Sequence, residues 1–277
     1  MSWKAQNRFW SVVRNVFLWA CTLLSAYPIW WMITTALKNR VDAFAIPPKN
    51  FFVPIFDNFQ AVLASGNFMN AYKNSLIISI STCVLALLIG TPMAYALARF
   101  KVPKKNSTMM WLLSTKMAPA IMIAVPYYII FQRLRMTGTY WGMIVVYLIF
   151  NLAFTVWMLK GFIEGIPVEL SEAARVDGAS RLRSFFRVEM PLMKGGIAAT
   201  AILCFITVWN EFLLALVLTS SRTQTTPVAI QNFISFEGIR WGEISAAGVL
   251  VATPAVVLGV AVRKYLITGM TMGAVKS

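Results

Sequence analysis

Residues 74–98 read NSLIISISTCVLALLIGTPMAYALA, a run without a single Asp, Glu, Lys or Arg. A helix rises 1.5 Å per residue, so a run of this length crosses about 30 Å of hydrocarbon. Five further stretches read the same way. Asn15 to Leu37, Met136 to Leu159 and Ile244 to Val262 are uncharged; Asn106 to Gln132 contains only Lys116, and Gly195 to Ser221 only Glu211. In lipid every backbone N–H must be satisfied within its own segment, which selects helices for such runs. The expectation is an all-α polytopic membrane protein with six transmembrane helices, at about 15–37, 74–98, 106–132, 136–159, 195–221 and 244–262, in a single transmembrane domain spanning 1–277.

Composition supports this. Of 277 residues 58% are hydrophobic and 13% charged, against about 45–50% and about 25% in soluble domains. Mean hydropathy is +0.68. The net charge of +15 would suggest nucleic acid in a soluble chain. Here the basic residues sit between apolar runs and point to orientation in a membrane, with no nucleic-acid partner. The chain has no histidine, which excludes imidazole bases, Ser-His-Asp chemistry and His metal sites. Cys21, Cys83 and Cys204 each lie alone in an apolar run, so neither a disulfide framework nor a thiolate metal site follows.

Lys4, Arg8 and Arg14 precede the first apolar run as in a signal peptide, but the run is too long for one and ends in Trp30-Trp31. It is expected to be an uncleaved span. With the N-terminus inside, the inner segments carry 16 basic residues and the outer ones eight, which puts both termini in the cytoplasm. Arg133 and Arg135 go against this bias. Two connections are long. The external loop 38–73, with Pro47-Pro48, Pro54, Phe51, Phe52, Phe56 and Phe59, reads as an irregular interfacial or docking segment. The cytoplasmic loop 160–194 holds half of all the acidic residues.

In that second loop Pro167 suits a helix start, Glu169 and Glu172 suit its N-terminal end, and Gly178 suits a stop with positive φ. A short helix is expected from Pro167 to Asp177. Leu170, Ala173, Ala174 and Asp177 share one of its faces at i, i+3, i+4 and i+7, flanked by Glu169, Glu172 and Arg175. A second helical segment should begin at the N-cap Ser180 and end before Pro191, with Phe185 and Phe186 to bury. From the residues alone, a docking knob and a solvated hairpin joining two spans are both open.

The same stretch resembles the cytoplasmic EAA signature of permease subunits in bacterial ABC importers: Glu-Ala-Ala, three residues, Gly, nine residues, Ile, one residue, Leu-Pro. Here Glu172-Ala173-Ala174 leads to Gly178, and nine residues later come Val188, Glu189, Met190 and Pro191. The spacing is kept, with Val for Ile and Met for Leu. Trp209-Asn210-Glu211-Phe212 and the tail Thr271 to Lys276 are similar to the maltose-type carbohydrate branch, and Ser114-Thr115-Lys116-Met117 is similar to permeases for polyols and monosaccharide derivatives.

The resemblance implies a bacterial inner-membrane subunit that pairs with a second homologous permease as a heterodimer, above two ATPase subunits. It also implies a periplasmic or lipid-anchored solute-binding protein and a sugar or polyol as solute. Glu169, Leu170, Glu172, Ala173, Ala174, Arg175, Asp177 and Gly178 would dock in the ATPase, and the tail would reach toward the ATPase interface. The chain has no Gly-x-x-x-x-Gly-Lys-Ser/Thr loop. It is therefore expected to be no enzyme and to bind no cofactor or metal, with ATP and Mg held by the partner ATPase.

Inside the spans, Lys116 and Glu211 have three readings: a structural ion pair, a lining of the solute path, or, for Lys116, snorkelling to the inner surface. Tyr127, Trp209 and Asn210 join them as candidate pathway residues, offering aromatic faces and an amide to a sugar. Gly248, Ala252, Ala255 and Gly259 form a small-residue stripe suited to close helix packing. The competing readings are an ion-gradient-driven secondary transporter using Glu211 or Lys116, and a membrane-embedded enzyme with very little catalytic equipment.

Overall fold

The computed structural model describes residues 3–235 and 238–272. In chain order the helices are α1 (Trp3–Ala36), α2 (Arg40–Ala43), α3 (Asp57–Ala64), α4 (Gly66–Arg99), α5 (Lys105–Ser114), α6 (Ala120–Arg133) and α7 (Tyr140–Glu164). There follow α8 (Val168–Val176), α9 (Arg181–Ser184), a π turn (Phe185–Glu189), α10 (Met190–Leu192), α11 (Lys194–Trp209), α12 (Leu213–Leu218), α13 (Thr226–Ala229) and α14 (Trp241–Met272). The only strands among the described residues are the two-residue β1 (Ile234–Ser235) and β2 (Gly238–Ile239), paired antiparallel. The fold is all-α.

Among the described residues, four helices are long and apolar enough to cross a membrane without interruption: Phe9–Ala36, Gly66–Arg99, Tyr140–Glu164 and Trp241–Arg263. The other two expected spans are interrupted. Residues 106–132 divide into α5 and α6, because Pro119 disfavours helix at Ala118 and has no N–H of its own to continue the ladder. The hydroxyls of Ser114 and Thr115 donate back to the Trp111 and Leu112 carbonyls at 2.7 Å each, closing the end of α5. Residues 195–221 divide at Asn210 to Phe212, between α11 and α12.

Three other expectations need correction. The loop 38–73 contains α2 and α3, and its last residues already belong to α4. The helical segment capped by Ser180 does not stop before Pro191: Met190 N–H bonds to Phe185 O, and the wider π turn lets the chain pass the proline and continue to Leu192. Phe185 is buried as expected, but Phe186 is 56% exposed. The segment Arg181–Leu192 then meets α11 at a 72° bend.

Contacts divide the chain into two units, each described by itself. The first joins Met1–Gly66 to Ile230–Ala252. In it α1 leaves Phe17, Trp19, Leu23 and Leu24 exposed, as a lipid- or partner-facing helix does. Gly248 of the expected packing stripe lies against Met32, whose Sδ would be 2.9 Å from an added Cβ.

The second unit is Asn67–Ala229 with Thr253–Ser277. Its core includes two larger apolar centres among the described residues. One gathers Ile78, Phe131, Met143, Tyr147, Val208 and Leu218; the other gathers Leu97, Met109, Val156, Leu159, Ile163 and Met193. Gly196 lets α11 approach α7, since a Cβ there would enter the Phe162 ring. Gly259, the far end of the stripe, has nothing within 4 Å of an added Cβ. Cys83 and Cys204 are buried against Ala86 as small apolar side chains, while Cys21 is exposed.

Candidate functional site

The EAA segment folds into α8. Pro167 is the N-cap, with Glu169 in the first turn and Arg175 in the last, an order that complements the helix dipole. At the far end Gly178 takes φ +86°, Gly178 N–H donates to Arg175 O at 3.1 Å and Ala179 N–H to Ala174 O at 3.0 Å. This pair of bonds is the Schellman closure, and it needs a residue at ease in the left-handed region.

One side of α8 is fixed and the other is free. Ser171 is buried, and its hydroxyl donates to Glu189 Oε1 at 2.6 Å. Glu189 is fully buried, and its Oε2 accepts from Arg99 Nε at 2.8 Å. Arg99 Nη2 donates to Ile166 O at 2.9 Å, and Ser184 Oγ donates to Ser171 O at 3.4 Å. The last residue of α4, the approach to α8 and the π turn thus meet at one polar node. Glu169, Leu170, Glu172, Ala173, Arg175 and Asp177 point outward, and Ala174 is half-buried. Val176, at 87% exposure, extends the apolar outer surface with Val168 and Leu182. Sequence reasoning missed Val176 and treated Glu189 as a filler position of the motif. The signal for Glu189 was an acidic residue midway between apolar neighbours, with Arg99 ending the second apolar run.

The second arrangement lies where the two interrupted spans meet α7. A cavity of about 180 Å³ is lined by Lys116, Ala120, Tyr147, Phe150, Asn151, Thr207 and Glu211, among others. Of the three readings of Lys116 and Glu211, the ion pair is not formed among the described residues. Glu211 Oε1 accepts from Leu214 N–H at 2.8 Å, and its Oε2 from Ala215 N–H at 3.1 Å and the Tyr147 hydroxyl at 2.7 Å. It is the cap of α12. Lys116 Nζ lies 5.6 Å from the centroid of the Phe154 ring.

The other expected pathway residues do not line this cavity. Trp209 is 1% exposed, stacked on Phe205 at 5.4 Å and edge-on to Tyr72 at 5.5 Å. Tyr127 packs between Phe131 and Phe150. Asn210 Nδ2 donates to Ile206 O at 3.0 Å, closing α11. Conversely, Tyr147, Asn151 and Thr207 were not anticipated. Asn151 was visible as the one amide in the uncharged fourth span. The tail after Lys264, expected to reach toward the ATPase, continues α14 as far as Met272, and Gly273 to Ser277 lie outside the described residues.

The sequence model of the binding-protein-dependent transport system inner membrane component matches residues 3–272. The chain belongs to this family. It is 36% identical over 269 residues to a probable ABC transporter permease protein, y4oR, of Sinorhizobium fredii, covering 97% of this chain and 94% of that one. It is 32% identical over 272 residues to the diacetylchitobiose uptake system permease protein DasC of Streptomyces coelicolor, covering 98% of each. Its fold is similar to a solved bacterial ABC transporter involved in the import of the acidic polysaccharide alginate, with a TM-score of 0.77, 22% identity, and coverage of 94% and 97%. This inner membrane component is therefore a multi-pass transport subunit of an ABC system and not an enzyme; ATP hydrolysis belongs to a separate subunit. The ion-gradient-driven alternative gives way to that membership.

Proposed function

We propose that this subunit forms half of the transmembrane pathway of an importer for a carbohydrate or polyol, and that α8 receives the closure of an ATPase. The observation that carries the reading is the build of α8: an outward face of Leu170, Ala173 and Val176 edged with charge, on a helix whose inner side is held by the Ser171–Glu189–Arg99 node. A helix meant only to join two spans needs no such anchoring. Force on the outer face passes through the node into α4 and through the bent segment into α11. The sugar reading rests on the uptake system named for the Streptomyces relative.

The full assembly in this reading has a second, homologous permease, two ATPase copies that hold ATP and Mg, and a solute-binding protein outside. The chain crosses six times, twice by interrupted spans, with both termini in the cytoplasm. Purification from membranes tests it. An ATPase and a second permease should co-elute with the chain, and proteoliposomes of the complex should take up labelled sugar only with ATP and a binding protein present. Uptake by the chain alone, driven by an ion gradient, would overturn the proposal.

A further inference from the structure

The cavity beside Lys116 has a chemistry of its own. Glu211, the acid within it, is already occupied: three donors hold its two oxygens, at 2.7–3.1 Å. Its charge is spent on α12 and Tyr147. Lys116, by contrast, faces the Phe154 ring and has no carboxylate within 4 Å among the described residues. The α6 helix begins at Ala120, on the same wall, and directs the positive end of fourteen residues of helix there. Asn151 is 2% exposed; its Nδ2 donates to Tyr147 O at 2.8 Å, while its Oδ1 is buried with no partner among the described residues. A buried acceptor left open costs free energy unless something donates to it.

The unmet needs of the cavity are therefore an anion, or a dense set of acceptors, at Lys116 and the start of α6, and a hydroxyl donor at Asn151. At about 180 Å³ it is smaller than the ~300–1,000 Å³ of pockets for drug-sized ligands, so it takes one sugar unit and no oligosaccharide. Phe150 supplies an apolar side for the face of a ring. Two interrupted spans meeting at one cavity is also the arrangement in which membrane transporters expose helix ends to solutes.

We infer that this cavity is a subsite for a single acidic monosaccharide unit, whose carboxylate or equivalent anion pairs with Lys116 and whose hydroxyl donates to Asn151. The subsite rests on the importer reading above and gives this chain its own hold on the solute.

Equilibrium dialysis of the full chain, purified with its partner subunits, tests it with labelled glucuronate, glucose and sorbitol as probes. Glucuronate should bind most tightly. Lys116→Gln should weaken glucuronate roughly tenfold or more and leave the neutral probes nearly unchanged, and Lys116→Arg should restore much of the loss. Asn151→Leu should weaken all three. Position is read independently with Thr207→Cys in a Cys21→Ser chain, where glucuronate should slow alkylation by a maleimide. Equal binding of glucose and glucuronate, or glucuronate binding indifferent to Lys116→Gln, overturns the inference. So does the absence of any glucuronate binding. If an ATPase and a second permease still co-elute in that case, the subsite alone has failed; if neither does, the importer reading has failed with it.

Discussion

Arg99 Nε stands 2.8 Å from Oε2 of Glu189, a carboxylate with no exposure to solvent. Removing two charges from water costs several kcal/mol per ion, and the pair survives only where the remaining lone pairs and protons are also satisfied. Here Ser171 takes the other carboxylate oxygen and Ile166 O takes a second guanidinium nitrogen. The node thus engages both carboxylate oxygens and two guanidinium nitrogens, and it ties α4 to the two ends of the EAA segment.

Breaking the node from one side should be costly. Glu189→Ala leaves a nearly buried guanidinium without its anion, for an expected loss of about 3–5 kcal/mol. Ser171→Ala strands one carboxylate oxygen, for about 1–3 kcal/mol. Thermal unfolding of the purified chain should fall in that order, and a protease should nick residues 165–180 faster in Glu189→Ala. Wild-type unfolding and nicking in Glu189→Ala would show that the pair does not hold the segment.

Gly178 separates conformation from bulk. Its φ is +86°, yet nothing lies within 4 Å of an added Cβ, so a substitution meets backbone strain and no clash. Gly178→Ala or Gly178→Val should cost about 1–2 kcal/mol, and Gly178→Asn less, because Asn tolerates the left-handed region. Uptake should fall in the same order while the complex still assembles. Full uptake by a correctly assembled Gly178→Val complex would count heavily against a coupling role for α8.

The outer face of α8 makes the opposite demand. Val176 and Leu170 are exposed, so Val176→Ser and Leu170→Ser should shift stability by no more than about 0.5 kcal/mol. The ATPase recovered with the chain should nevertheless drop, since an apolar anchor in a protein interface carries binding energy out of proportion to its area. Unaltered recovery with both residues replaced would mean that this face is not the docking surface.

Much of this was legible in the residues. The uncharged runs gave the helices because lipid leaves no other partner for their backbone, and the Pro167 to Gly178 boundary was set by local cap chemistry. The break at Thr115–Pro119 had a visible signal in Pro119, whereas that at Asn210–Phe212 was hidden, because hydropathy does not register where a helix is interrupted. Lys116 and Glu211 line one cavity, yet sharing a cavity does not make an ion pair. Backbone donors at the start of α12, freed by the break at Asn210, hold the Glu211 carboxylate instead. The same limit hid Glu189, whose partner Arg99 is 90 positions away.

Glu211 supplies the last prediction. If the carboxylate acts first as the cap of α12, its loss must appear in stability before it appears in transport. Glu211→Ala orphans the N–H groups of Leu214 and Ala215, a cost of about 0.5–2 kcal/mol at a helix start in water and more where no water reaches them. Glu211→Gln keeps one acceptor and should lose roughly half as much. Tyr147→Phe removes the third donor, so the double change Tyr147→Phe with Glu211→Gln should cost less than the sum of the single ones, because both act on one hydrogen bond. Strict additivity in thermal unfolding would mean that the two side chains act independently. An uptake defect in Glu211→Gln without any loss of stability would instead assign the carboxylate to the solute.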